Sequence, residues 1–153
     1  MKNKKLKRGF TLIEVLIVIG ILAILAGIAL VAINPARQFS QARDSQRLSH
    51  VNTILNAIVQ NIAENKGTFT CGVTQFNIPT TGTPIIKSDD VNLYPCLVPK
   101  YIPSMPIDPQ NGVYDSATDY DTKYGIIKDA TTGRVTISAT PEITENIPIE
   151  ATK

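Results

Sequence analysis

Between Val15 and Ile33 the chain reads VLIVIGILAILAGIALVAI, a run without a charged residue, and no other feature limits the possible folds so strongly. Counted from Phe10 to Ile33, the apolar segment has 24 residues. As a helix rising about 1.5 Å per residue it would reach about 36 Å, more than the roughly 30 Å hydrocarbon core of a bilayer. Secretory signals usually have apolar cores of about 7–15 residues, so length favours a spanning helix. The following VAINPA is a loose match to a small-residue cleavage site, which leaves a cleaved secretory signal as the weaker reading. One residue resists this picture. Glu14 stands at the mouth of the run, and an ionised carboxylate inside a bilayer is costly, less so near a helix end.

The charge is split along the chain. The whole sequence carries +2, from 15 basic and 13 acidic residues. Lys2, Lys4, Lys5, Lys7 and Arg8 all precede the apolar run, and without them 10 basic residues face 13 acidic ones, or −3. A basic stub before an apolar run orients the segment with its N-terminus in the cytoplasm and the rest of the chain across the membrane. It is not a basic patch on a folded surface, so no nucleic-acid partner is expected. With 153 residues in all, the water-facing remainder is small and its core thin.

A second helix signal, of a different kind, follows. In residues 35–66 the apolar positions Leu48, Val51, Leu55, Ile58 and Ile62 recur at steps of three and four among polar residues, which predicts a one-sided amphipathic helix. Asn34 and Pro35 make a cap and first-turn pair, or a kink if one helix passes through, and Gly67 supplies the stop. Beyond Thr68 the helical period is gone. KYGIIK and RVTIS read as short strands joined by a hairpin loop, Asp129 to Gly133, and turn clusters such as TTGTP and PSMPIDPQNG separate other short segments. Val135 and Ile137 should face inward, with Ile127 and Gly125 among the candidates opposite them. The tail from Pro141 should be partly unanchored. The expected fold class is α+β, a long N-terminal helix packed on a small antiparallel sheet.

Cys71 and Cys96 both lie in this β-rich head, which the orientation argument places outside the cytoplasm, where disulfides persist. A Cys71–Cys96 pair is expected; closing a loop of about 26 residues would stabilise the head by roughly 3–4 kcal/mol. Enzyme chemistry finds little support. His50 is the single histidine and should be a surface residue, and the sequence holds no phosphate loop, HExxH or nucleophile elbow. Asp115, Asp119 and Asp121 offer oxygen ligands at close spacing that could hold calcium, but without the EF-hand glycine and terminal glutamate, so solvated loop carboxylates are the simpler reading. No cofactor is expected.

The stretch KRGFTLIEV, followed at once by the uncharged helix, resembles the processing site of type IV pilins and of type II secretion pseudopilins. That pattern has a basic leader ending in Gly, a first mature residue that is usually Phe, and Glu as the fifth mature residue. Gly9, Phe10 and Glu14 match all three. The resemblance implies cleavage between Gly9 and Phe10 by a prepilin peptidase on the cytoplasmic side, with methylation of the Phe10 amine. It implies a filament built with other pilins, served by an assembly platform membrane protein and an ATPase. It gives Glu14 a partner, the Phe10 ammonium of a neighbouring subunit. Many members carry a helix-breaking proline about twenty residues into the mature chain; here that zone reads LVAIN and the proline is Pro35, so melting is expected further out, or at Gly20 and Gly27.

The organisation that follows is a leader at 1–9, a transmembrane and filament-core helix at 10–34, an amphipathic helix at 35–66 and an extracytoplasmic head at 67–153. The expected role is structural: an inner-membrane precursor surrounded by lipid, then a subunit of an extracellular or periplasmic filament. A membrane-tethered binding or enzymatic head with an uncleaved signal anchor is the alternative.

Overall fold

The structure, a computed structural model, describes residues 9–32, 34–143 and 148–153. The basic leader up to Arg8 and part of the expected loose tail, 144–147, lie outside the described residues. The chain is α+β and divides into two compact units, Met1–Gln38 and Phe39–Lys153.

In the first unit, helix α1 spans Leu12–Ala32. It runs without interruption through Gly20 and Gly27. Branched and long aliphatic side chains fill the turns between, and a helix in apolar surroundings keeps its backbone bonds because nothing else can satisfy them. Helix α2, Pro35–Glu64, begins in this unit. Its start is capped by Asn34, whose Oδ1 accepts the Arg37 N–H at 3.3 Å, with Pro35 in the first turn, where a missing N–H costs nothing.

In the second unit α2 forms the backbone of the head. It ends in a left-handed turn, with Gly67 N–H donating to the Ile62 carbonyl at 2.9 Å. The first left-handed residue is Lys66, φ +56°, and Gly67 follows at +89°. The glycine therefore helps reverse the chain but does not alone supply the stop. Strands β1 (Thr70–Cys71) and β2 (Thr74–Gln75) form a small hairpin. Then come β3 (Ile85–Lys87), the one-turn helix α3 (Tyr94–Leu97), β4 (Val113–Ser116), β5 (Asp119–Lys128), β6 (Val135–Ala139) and β7 (Ile149–Thr152). The main sheet is antiparallel in the order β3-β5-β6-β7, with β4 also on β5.

The core joins one face of α2 to one face of this sheet. Val51, Ile54, Leu55 and Ile58 of α2 meet Ile86, Tyr124, Ile126, Val135 and Ile137, all at most 2% exposed. The expected stripe on α2 is correct in its middle and wrong at one end: Leu48 is 47% exposed, while Arg47 and Asp44 are buried. The inner face continues from Val51 through positions four and seven residues back, because carboxylates from the head wait there to meet a guanidinium.

Val135 and Ile137 face inward as expected, but their β5 neighbours are a correction. The hairpin pairs Ile126 with Ile137 and Ile127 with Thr136. Asp129 Oδ1 accepts N–H groups from Thr131 and Thr132 at 2.9 and 2.6 Å, and the loop so wound fixes Lys128 opposite Val135. A register changed by one residue turns every side chain to the other face; Tyr124 and Ile126 point inward, not Gly125 and Ile127. The tail is a second correction, for β7 pairs with β6 along four residues, Ile149 opposite Ala139 to Thr152 opposite Thr136.

Candidate functional site

Gly9 and Phe10 lie before α1 in no regular structure, and Phe10 is 90% exposed. A Cβ added to Gly9 would meet nothing within 4 Å. Nothing in the described chain, then, requires a glycine there or gives the Phe10 ring a place to bury itself.

Glu14 does have a partner. Its Oε2 accepts the Thr11 backbone N–H at 2.7 Å and the Thr11 hydroxyl at 2.8 Å, while Thr11 Oγ1 accepts the Glu14 N–H at 3.3 Å. This is a reciprocal capping box. The first N–H groups of any helix lack intrahelical acceptors, and in apolar surroundings no water replaces them, so the pair satisfies donors that would otherwise be orphaned. The helix dipole also favours a carboxylate at this end. A threonine three residues before a glutamate at the start of an apolar run is the sequence signal for such a cap.

Beyond the cap, Leu12–Leu30 is long and apolar enough to cross a membrane, and none of it is buried within the chain. Leu12, Leu16, Ile19, Leu22, Leu25 and Ile28 each keep more than half of their surface exposed. A helix apolar on every side needs an apolar surrounding, whether lipid or other helices.

The head gathers its candidate residues differently. Cys71 of β1 and Cys96 of α3 are joined in a disulfide, Cα atoms 4.2 Å apart. Asp115 lies on β4, with Asp119 and Asp121 on β5, and the Asp121 carboxylate is taken by the N–H and Nζ of Lys123, at 2.9 and 2.5 Å. No group of three or more His, Cys, Asp or Glu able to hold a metal ion occurs among the described residues. His50 is half-buried, its Nδ1 2.9 Å from the Tyr124 hydroxyl, which corrects its expected place on the surface. Ring packing between α2 and β5 draws it in.

Comparison with known families decides what the first segment is. The model of the prokaryotic N-terminal methylation motif matches residues 4–30. The chain carries this motif. It is the signature of type IV pilins and pseudopilins, and here it spans Gly9, Phe10, Thr11, Glu14 and most of α1, well under half of the chain. No curated protein and no solved structure matches the chain. The motif accounts for what the fold leaves without an internal reason. The match covers the glycine with free space around it, the exposed phenylalanine and most of the apolar helix.

Proposed function

We propose that the chain is a structural subunit, a pilin or pseudopilin precursor cut after Gly9 by a prepilin peptidase, methylated at Phe10, and assembled through its N-terminal helix into a filament. The observation that carries this reading is the match to the methylation motif over residues 4–30, on a helix whose Leu12–Leu30 span is nowhere buried inside its own chain. Before assembly, lipid covers α1, the cleaved leader stays in the cytoplasm and the head lies across the membrane. After assembly, neighbouring copies replace the lipid. Contacts that repeat head-to-tail without closing generate a helical filament, either a type IV pilus or a type II secretion pseudopilus, and an assembly platform protein with an ATPase would drive the transfer.

In this reading the parts are a leader at 1–9, a filament-core helix at 10–34, an amphipathic helix at 35–66 and a head at 67–153. Glu14 stays bonded to Thr11 in the free subunit and meets the Phe10 ammonium of a neighbour in the filament. The subunit needs no cofactor. Intact-mass and N-terminal peptide analysis of the chain from the cells that make it tests the proposal. The expected result is a first residue of Phe10 carrying one methyl group. A terminus at Met1 or Lys2 would overturn the proposal and leave a head tethered by an uncleaved anchor.

A further inference from the structure

We propose that β7 is held on the head by a charge latch centred on Arg47, rather than by its own apolar packing, and is therefore the first element of the head to detach. The inference is independent of the filament reading.

The centre of the latch is a guanidinium 1% exposed. Arg47 donates to Asp108 through Nε at 2.6 Å and Nη2 at 3.2 Å, and through Nη1 to Asp44 at 2.8 Å and Glu142 at 2.7 Å. Glu142 also receives Arg43, at 2.7 and 2.6 Å. Two arginines thus face three carboxylates. Asp44 does double service: besides Arg47 it accepts the backbone N–H groups of Glu142 and Ile143, at 2.9 and 3.3 Å. Glu142 and Ile143, on the segment that leads towards β7, are consequently tied to α2 through the Glu142 side chain and through both backbone N–H groups.

The latch has an inner and an outer half. Arg47 and Asp108 have side chains 1% and 6% exposed, whereas Arg43 and Glu142 are 33% and 18% exposed. Water, salt ions or a competing charged group can reach the outer pair. The inner pair is shielded, and breaking it would leave a buried charge uncompensated. Arg43 holds the Glu142 carboxyl down to about 2, with Arg47 adding to the effect. Ordinary acidity therefore leaves the outer pair charged; a competing ion opens it.

Apart from its backbone ladder to β6, which Lys153 and Val135 extend by two bonds at 2.8 and 3.0 Å, and an exposed Thr152–Thr136 hydroxyl bond, strand β7 has little else to hold it. It is a four-residue edge strand with one neighbour, and of its side chains Ile149 alone is buried. Val135 and Ile137 of β6, by contrast, sit in the core at 2% and 0% exposure. Lys153 adds a bond from Nζ to Asn56 Oδ1, on the exposed surface, where such contacts count for little. Detachment would uncover the outer edge of β6, a row of unpaired backbone groups of the kind that accepts an extended strand.

Hydrogen exchange followed by mass spectrometry, on the full chain in detergent micelles, tests the latch. Glu142→Gln keeps shape and removes charge. It should speed exchange in β7 and its β6 partners roughly tenfold or more, leaving the α2 core turn and β5 near their original rates. Raised sodium chloride should act in the same direction on the parent chain, and Ile149→Ala should have the smaller effect. The proposal fails if Glu142→Gln changes nothing, if it speeds the whole head equally, or if Ile149→Ala frees β7 more than Glu142→Gln does.

Discussion

Asn61 holds the backbone of Thr70 from both sides. Its Nδ2 donates to the Thr70 carbonyl at 2.8 Å and its Oδ1 accepts the Thr70 N–H at 2.9 Å, so a side chain of α2 takes the place of a paired strand beside β1. Asn61 is 2% exposed. Replacing it by leucine leaves both backbone groups without a partner, at a cost of about 1–3 kcal/mol for each buried orphan. Asn61→Asp should also destabilise, because it retains the acceptor, loses the donor and buries a charge. Urea unfolding of the two variants checks this; an unchanged midpoint for Asn61→Leu would be the contrary result.

Gly112 is needed for space. A Cβ there would lie 2.6 Å from the Asp108 nitrogen, 2.7 Å from its oxygen and 2.8 Å from the Ile107 Cβ, and the first two are backbone atoms that cannot rotate away. Gly112→Ala should therefore cost about 1–3 kcal/mol, as overpacking does elsewhere, and should disturb the carboxylate bonded to Arg47. Thermal unfolding measures the loss, while wild-type stability would show that the loop yields freely.

His50 makes the head sensitive to mild acid. Burial lowers its pKa below the ordinary 6.5, outweighing the Ile107 carbonyl and the Asp108 charge, which raise it. The unfolded chain accordingly takes up the proton first. Stability contributed by neutral His50 is complete above about pH 6.5 and is lost as pH falls below that value towards the folded pKa. Protonation also obliges the Tyr124 hydroxyl, 0% exposed, to accept rather than donate. The unfolding midpoint followed from about pH 7.5 to 5.5 should decline in the parent chain and decline less in His50→Gln; parallel curves would assign the slope to other groups.

Glu14→Gln separates the cap on Thr11 from the proposed pairing with a neighbouring subunit. The amide oxygen still accepts from Thr11, so the start of α1 should be kept, while the charge offered to a neighbour's ammonium is gone. In the proposed reading processing depends on Gly9, so it should continue. Sheared filament yield should drop roughly tenfold or more, as when one member of a close charge pair is removed. Immunoblots of processed subunit and of filaments from the same cells give both readouts, and undiminished filaments would mean the carboxylate serves capping alone.

How far the sequence could be read depends on how local each determinant is. The methylation motif and the spanning helix are contiguous text, and Val51, Leu55 and Ile58 repeat within a few turns, so all were legible. The β5–β6 pairing was legible as a hairpin, but its register depended on how Asp129 winds the loop, and an error of one residue exchanged Ile127 for Ile126. The Arg47 cluster was illegible for another reason. Two of its three carboxylates lie 61 and 95 residues away, and Arg47 with Asp44 three residues before it ordinarily reads as a solvated helix face. Leu48 reads as inward by the same reasoning, since its hydrophobicity is visible in the sequence and the ions that claim the inner face are not.

That separation of 95 residues between Arg47 and Glu142 also sets an order of events. A ribosome adding roughly 5–20 residues per second takes about 5–20 s to pass from one to the other. Through that interval α2 can coil and β4, β5 and β6 can meet, since neighbours in sequence find each other quickly. The guanidinium meanwhile carries an incomplete set of counter-charges on what will become an inner face. The head thus cannot reach its final state before its last strand has been synthesised, and a chain stalled ahead of Glu142 would differ from a finished one by an Arg47 that has Asp44 and Asp108 but lacks its third carboxylate.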